Sequence, residues 1–291
     1  MNWIFQGNQG LRAGWSALIF LAIFLALAVG GVALAEKFVP MDERHPVPPV
    51  PAIVREGIQL LAVFAATWVM SRIERRPVLS YGFLDRRRIV RLLSGLAVGV
   101  AAMSILVASL SRSGFLVFDG RVLYGLAAWK YAGLWGAAFL TGAFFEEGLL
   151  RGYLQFTLTR GLNFWLAAVI LSVLFGAMHG SNSGESPIGL VSAGGAGLMF
   201  CLSLWLTRSL WWAVGVHAGW NWASACLYGV PDSGLVTVGH LYAMHPVGKP
   251  IWSGGATGPE GSAYGLVVEA AITLGIWTMW RRNLPLDSEG I

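Results

Sequence analysis

Charge is what this chain has least of. Only 12% of its 291 residues are Asp, Glu, Lys or Arg, against 56% hydrophobic, whereas soluble domains carry about a quarter charged residues. A water-soluble fold of this length needs charged side chains to cover its surface. A bilayer solvates apolar surface without them and leaves polar groups for loops and sites, so an ordinary soluble enzyme is excluded. Cysteine is also scarce: Cys201 and Cys226 both stand in apolar stretches, as small packing residues rather than a disulfide or metal pair. Acidic residues are outnumbered, giving a net charge of +5. The basic residues are mostly arginines crowded between apolar segments, which marks them as topology signals facing anionic lipid and cytoplasm. The partner this implies is the lipid bilayer, and no nucleic acid.

What the chain has in quantity is long apolar runs. Eight are long enough to cross roughly 30 Å of hydrocarbon, about 20 helical residues each: near Trp15 to Ala35, Ala52 to Ser71, Leu92 to Leu110, Leu123 to Phe145, Phe164 to Met178, Ile188 to Leu206, Leu210 to Leu227 and Tyr264 to Trp280. The first follows Arg12 and ends Ala33-Leu34-Ala35 like a cleaved signal, but its core exceeds the usual 7 to 15 or so residues of such signals, so it counts as a span. The expected fold is all-α: one polytopic membrane domain over residues 1–291, with a motif-bearing core at about 123–228. The connection after span two holds Arg72, Arg75, Arg76, Arg86, Arg87, Arg88 and Arg91 against Glu74 and Asp85, which makes it cytoplasmic. An even number of spans then puts both termini inside, in agreement with Arg12, Arg281 and Arg282. The stretches from Pro40 to Pro51 and from Gly229 to Gly261 are rich in Pro or Gly and read as external loops.

An ionisable side chain in mid-bilayer costs on the order of 2.5 to 3.5 kcal/mol, so such residues mark function by default. Span four ends Phe144-Phe145-Glu146-Glu147-Gly148-Leu149-Leu150-Arg151-Gly152, span five ends Phe175-Gly176-Ala177-Met178-His179-Gly180, and span seven holds His217-Ala218-Gly219-Trp220-Asn221. His217 and Asn221 share a helix face, and Glu147 with Arg151 makes an acid-before-base pair that a helix surface explains by itself. Glu146 has no opposite charge one turn away, so it is free for another partner. Glycines four apart, Gly148 with Gly152, Gly176 with Gly180 and Gly215 with Gly219, let helices approach closely and suggest that these three spans meet. A carboxylate that activates water, with imidazole and amide donors for an oxyanion, suits amide hydrolysis. Two His and one Glu with an open position equally suit a catalytic zinc. Both alternatives give a peptidase.

Glu146-Glu147-x-x-x-Arg151, Phe175-x-x-x-His179 and His217-x-x-x-Asn221, in this order on separate spans, resemble the CPBP family of intramembrane proteases, which includes type II CAAX prenyl endopeptidases and bacterial Abi-type bacteriocin-processing and immunity proteins. The motifs cover Glu146 to Asn221, and the run Trp252 to Gly261 is similar to a segment of bacterial members. The resemblance implies a site between spans four, five and seven in which Glu146 activates water, helped by His179. His217 and Asn221 would hold the oxyanion, and Glu147, Arg151 and Phe175 would support them. It implies either a metal-free glutamate mechanism or zinc on Glu146, His179 and His217. It also implies a membrane-anchored or prenylated-like peptide or protein substrate, met at the cytosolic face, which here is the face carrying the arginines. Two other classes compete: a non-catalytic bacteriocin-immunity or membrane binding protein that keeps the pocket, and a proton-coupled transporter, against which the absence of a visible inverted repeat counts.

Overall fold

The computed structural model describes residues 6, 7, 10–40 and 46–281; Arg282 and part of the Pro40–Pro51 loop lie outside them. The helices are α1 (Ala13–Ala35), α2 (Pro49–Glu74), α3 (Arg88–Arg112), α4 (Gly125–Glu147), α5 (Gln155–Gly161), α6 (Phe164–His179), α7 (Pro187–Thr207), α8 (Trp211–Trp222), the short α9 (Pro250–Ser253) and α10 (Ala263–Trp280). Each expected span overlaps one of them, spans four and five becoming α4 and α6, and span seven running through α8 into the segment that follows it. Five helices are long and apolar enough to cross a membrane: α1, α2, α3, α7 and α10. The three that fall short are those that carry the motifs, because polar residues lower the hydropathy of α4 while α6 and α8 are only 16 and 12 residues long. The protein is thus an all-α polytopic membrane protein, and its outer helices show it. Leu25 and Val29 on α1, Leu61, Phe64 and Trp68 on α2 and Leu274 on α10 are all exposed, as lipid-facing side chains must be.

Local chemistry sets the helix ends. The prolines Pro48, Pro49 and Pro51 open α2 where no backbone N–H is yet needed. Asn163 accepts from the Leu166 amide to cap α6, and Ser186 and Ser262 do the same for α7 and α10, each such cap contributing about 1 kcal/mol. Two stretches depart from α geometry. Immediately after the paired glutamates the chain runs as a π-helix over Gly148–Leu154, and α8 passes into another over Ala223–Tyr228. Such segments re-aim the side chains around them and concentrate at functional sites.

The arginine-bearing face is knitted together by Glu74, which takes Arg160 at 2.7 Å and the hydroxyls of Tyr81 and Tyr153 at 2.9 and 3.0 Å. Asp85 joins it through Arg91 at 2.8 Å and Ser209 at 2.7 Å. On the opposite face an antiparallel pair, Leu116–Arg121 with Tyr242–Pro246, lies beyond the ends of α3 and α4. The Gly229–Gly261 stretch does more than loop outside: Asp232, Thr257 and Glu260 are buried, and Asn182 donates to the Ser233 carbonyl at 2.7 Å.

The glycine pairs act differently from expectation. Gly215 and Gly219 pack on the α3 backbone at Leu92 and Leu96, matched by Gly95 and Gly99 pressed onto the carbonyls of Trp212 and Val216. Gly176 seats α6 on α7 at Leu190 and Gly194, while a side chain at Gly148 would meet only ordinary contacts. The glycines therefore bind the motif helices to α3 and α7 rather than to one another. Gly99→Leu is expected to destabilise the fold by at least about 1–3 kcal/mol, the usual cost of overpacking, seen as a lowered melting temperature in detergent. A Gly30→Leu control, where a side chain meets nothing, should leave it unchanged.

Candidate active site

The geometry begins at the break between α4 and its π segment, where two consecutive glutamates point apart. Glu147 is fully buried and bonds Arg151 Nη1 through Oε1 at 3.2 Å; the arginine is equally buried. This pair is therefore an interior one and not the helix-surface pair that spacing alone suggests. Arg151 Nε and Nη2 have no hydrogen-bond acceptor, and Glu147 Oε2 has no donor. The guanidinium lies instead over the Phe175 ring, 4.3 Å from its centroid, and 5.7 Å from that of Phe200. Cation–π attraction compensates a desolvated guanidinium in part. Gly197 leaves the room for it, since a Cβ there would overlap Arg151 Nη2.

His217 bridges the two glutamates. Its Nδ1 is 3.2 Å from Glu147 Oε1 and its Nε2 is 3.5 Å from Glu146 Oε2. The ring stacks on Phe200 at 5.6 Å and meets the Phe175 ring edge-on at 6.0 Å, so its orientation is fixed on every side. Glu146 keeps 24% of its side chain exposed, unlike Glu147. His179, the last residue of α6, bonds the Phe175 carbonyl through Nδ1 at 2.8 Å. Among the described residues no hydrogen bond or ion pair joins His179 to Glu146 or His217; the Phe175 ring stands between the two histidines, 4.7 Å from His179.

A small cavity of about 50 Å³ opens beside this cluster. Phe175 and His179 of α6, Phe200 of α7 and His217 with Asn221 of α8 line it, so span-five and span-seven motif residues share its lining, while Glu146 is not among the lining residues and meets it only through His217, at 3.5 Å. Ser192, Ser233, Glu260 and Glu269 complete the lining. The lining residues come from α6, α7, α8, α10 and the connection between α8 and α10.

Four of these neighbours are absent from the motifs. Glu260 accepts from Trp220 Nε1 at 2.9 Å and from Ser233 Oγ at 2.9 Å, and also takes the Ser233 amide. Glu269 on α10 takes the Ser192 hydroxyl. Glu56 on α2 lies against Gly142, one turn before Glu146, with Oε2 buried and unpartnered. The cost of a carboxylate within a span singles out Glu56 and Glu269 from the sequence as firmly as it does Glu146.

No three His, Cys, Asp or Glu side chains among the described residues form a group that could hold a metal ion. Glu146, His179 and His217 are not such a group.

Residues 128–223, about a third of the chain, match the family model of type II CAAX prenyl endopeptidase Rce1-like proteins. This segment is similar to Rce1-like proteins. The matched segment contains all three motifs and the π segment, and it supports a protease-type function acting on a membrane-associated peptide. No curated protein matches the chain. Glu260 and Glu269 lie beyond the matched stretch and line the cavity from outside it.

Asp232 carries a consequence for pH. Burial, with the charges of Glu260, Glu146 and Glu185 nearby, raises its carboxyl pKa well above the ordinary value. The folded state therefore holds a proton that the unfolded chain releases above about pH 4, and stability falls as pH rises from there towards the folded value. Asp232→Asn removes that dependence. Its melting temperature should exceed wild type by a margin that widens from acid to neutral pH in a thermal-shift series.

Proposed function

We propose that this protein is an intramembrane endopeptidase that hydrolyses a peptide bond of a membrane-associated substrate with a water activated by Glu146. The observation that carries the proposal is the Glu146–His217 approach at 3.5 Å beside the cavity that His217 lines. Glu146 takes a proton from water, and the hydroxide oxygen attacks the scissile carbonyl carbon. His217 and Asn221, which line the cavity, donate to the oxyanion from Nε2–H and the side-chain amide. The C–N bond then breaks as Glu146 returns its proton to the leaving amine. His179, with Nδ1–H engaged by the Phe175 carbonyl, offers Nε2 as an acceptor for the water or the peptide N–H.

Glu147 and Arg151 act through His217. Arg151 pairs with Glu147, and Glu147 accepts from His217 Nδ1–H and fixes the ring. With one fixed cation against two carboxylates, the cluster is neutral when His217 also carries a proton on Nε2, which is the form that donates to an oxyanion.

The mechanism uses the chain's own groups and no step through a metal. Dialysis against a strong chelator is expected to leave cleavage within about twofold of the untreated enzyme, as followed by mass spectrometry of the products. The test of the reading as a whole is a profile of new peptide termini in membranes of cells carrying wild type or Glu146→Gln at matched expression. Termini that depend on Glu146 support hydrolysis, and identical profiles from two folded proteins overturn it.

A further inference from the structure

We infer that Glu260 is a positioning residue of the candidate site, which from the connection between α8 and α10 fixes Trp220, and with it Asn221, against the chain that follows His179. This rests on the endopeptidase reading and adds to it a residue outside the three motifs.

In the proposed hydrolysis the water and the scissile peptide lie among Glu146, His179, His217 and Asn221, which stand on three helices. Among the described residues no hydrogen bond or ion pair joins His179 to Glu146 or His217, so other contacts set the register of α6 against α8. That register matters, because a misplacement of about 1 Å at a reacting group can cost about 100-fold in rate. Glu260 supplies the link on the α8 side. Its Oε2 accepts from Trp220 Nε1 at 2.9 Å. Trp220 stands one residue before Asn221 and three after His217, in the same buried cluster as Met103 and Leu106 of α3.

The other carboxylate oxygen leads to α6. Glu260 Oε1 accepts from Ser233 Oγ at 2.9 Å and takes the Ser233 amide. Ser233 has φ 45°, in the left-handed region that a residue with a Cβ seldom enters, and such a conformation persists only where its surroundings over-determine it. Glu260 holds its N–H and its hydroxyl, while Asn182 Nδ2 donates to its carbonyl at 2.7 Å. Asn182 N in turn donates to the His179 carbonyl at 3.0 Å. A continuous set of bonds thus runs from Trp220 through Glu260, Ser233 and Asn182 to His179, and its two ends line the cavity together with Ser233 and Glu260. The rest of the connection is tied separately, by Ser224 Oγ to the Pro231 carbonyl at 3.1 Å, Thr257 Oγ1 to the Gly184 carbonyl at 3.1 Å and Trp135 Nε1 to the Val238 carbonyl at 2.9 Å, so it stays seated when Glu260 is replaced.

The first test does not depend on cleavage. Trp220→Phe cuts the bond to Glu260 without changing charge, and Glu260→Ala removes both ends of the link. Trp135→Phe is the control, because it frees the same connection at the Val238 carbonyl instead. The ring signals of the five histidines are followed by NMR of histidine-labelled protein in detergent, with His179 assigned by substitution and the melting temperature as the check on folding. Trp220→Phe and Glu260→Ala are expected to shift or broaden the His179 signal, and Trp135→Phe to leave it in place. A His179 signal that stays put in folded Trp220→Phe, or one that moves as much in Trp135→Phe, overturns the inference.

The second test is the split between kcat and KM on a membrane-anchored peptide. A residue that positions the site without touching substrate lowers kcat and leaves KM alone. Glu260→Ala is expected to lower kcat by about 10–100-fold with KM within about threefold of wild type. The double variant Trp220→Phe/Glu260→Ala should fall no further than Glu260→Ala, since both changes break one link. A raised KM with unchanged kcat makes Glu260 a substrate contact and overturns the inference, as does a wild-type kcat in Glu260→Ala. If wild type itself cleaves nothing while the His179 signal moves as expected, the link stands and the endopeptidase reading fails.

Discussion

Replacing Glu146 by Gln is expected to lower the rate of peptide cleavage by about 10²–10⁴-fold, the usual contribution of a positioned general base, while leaving the protein folded. The substitution is nearly isosteric and takes away charge without opening a cavity. Glu146 is the partly exposed member of the glutamate pair and makes no ion pair with an arginine, its nearest polar partner being His217 Nε2 at 3.5 Å. Little stability depends on its charge, since Glu147 carries the buried interaction with Arg151. The measurement is the rate of product formation on a fixed substrate, with the melting temperature and the elution profile in detergent as the check on folding. A variant that cleaves at the wild-type rate removes Glu146 from the mechanism. If neither protein cleaves while both capture the same membrane partner, the site is a binding or immunity pocket.

Breaking the Glu147–Arg151 pair is expected to have the largest effect on stability. Both side chains are wholly shielded from solvent, and removing one partner of such a pair leaves an uncompensated buried charge at a cost of about 3–5 kcal/mol. Arg151→Ala should do so by leaving Glu147 with His217 alone, and by emptying the space between Phe175 and Phe200. Glu147→Ala leaves Arg151 with aromatic rings as its only compensation. The double variant Glu147→Leu/Arg151→Met should recover most of the lost melting temperature, since two apolar residues of similar volume carry no desolvation penalty. It should not recover cleavage, because His217 Nδ1 then lacks the acceptor that fixes its proton and its ring. Recovery of both by the double variant would confine the pair to a packing role.

The sequence by itself determined the solvent and the chemistry. The scarcity of charge demanded a bilayer, the apolar runs marked every long helix, and the cost of an intramembrane carboxylate or imidazole drew attention to Glu146, His179 and His217 before any contact was known. Applied evenly, the same rule also picks out Glu56 and Glu269, because both lie within helices long and apolar enough to cross a membrane. The arginine asymmetry was likewise legible, since topology signals act through composition and not through contacts.

Only the tertiary structure decided how these residues meet. Spacing could pair Glu147 with Arg151 but could not bury the pair, because burial depends on what α6 and α7 bring against it, namely Phe175, Phe200 and the space left at Gly197. Spacing also could not show that His217 stands between two glutamates. That follows from the π turn after Glu147, whose geometry no residue pattern announces, and from the α3–α8 approach that Gly95, Gly99, Gly215 and Gly219 allow. The position of His179 behind Phe175, and the lining that Glu260 and Glu269 add to the cavity, are products of helix direction and of the long connection that folds back over α6 and α7. Those depend on interactions between residues far apart in the chain, which local pattern does not encode.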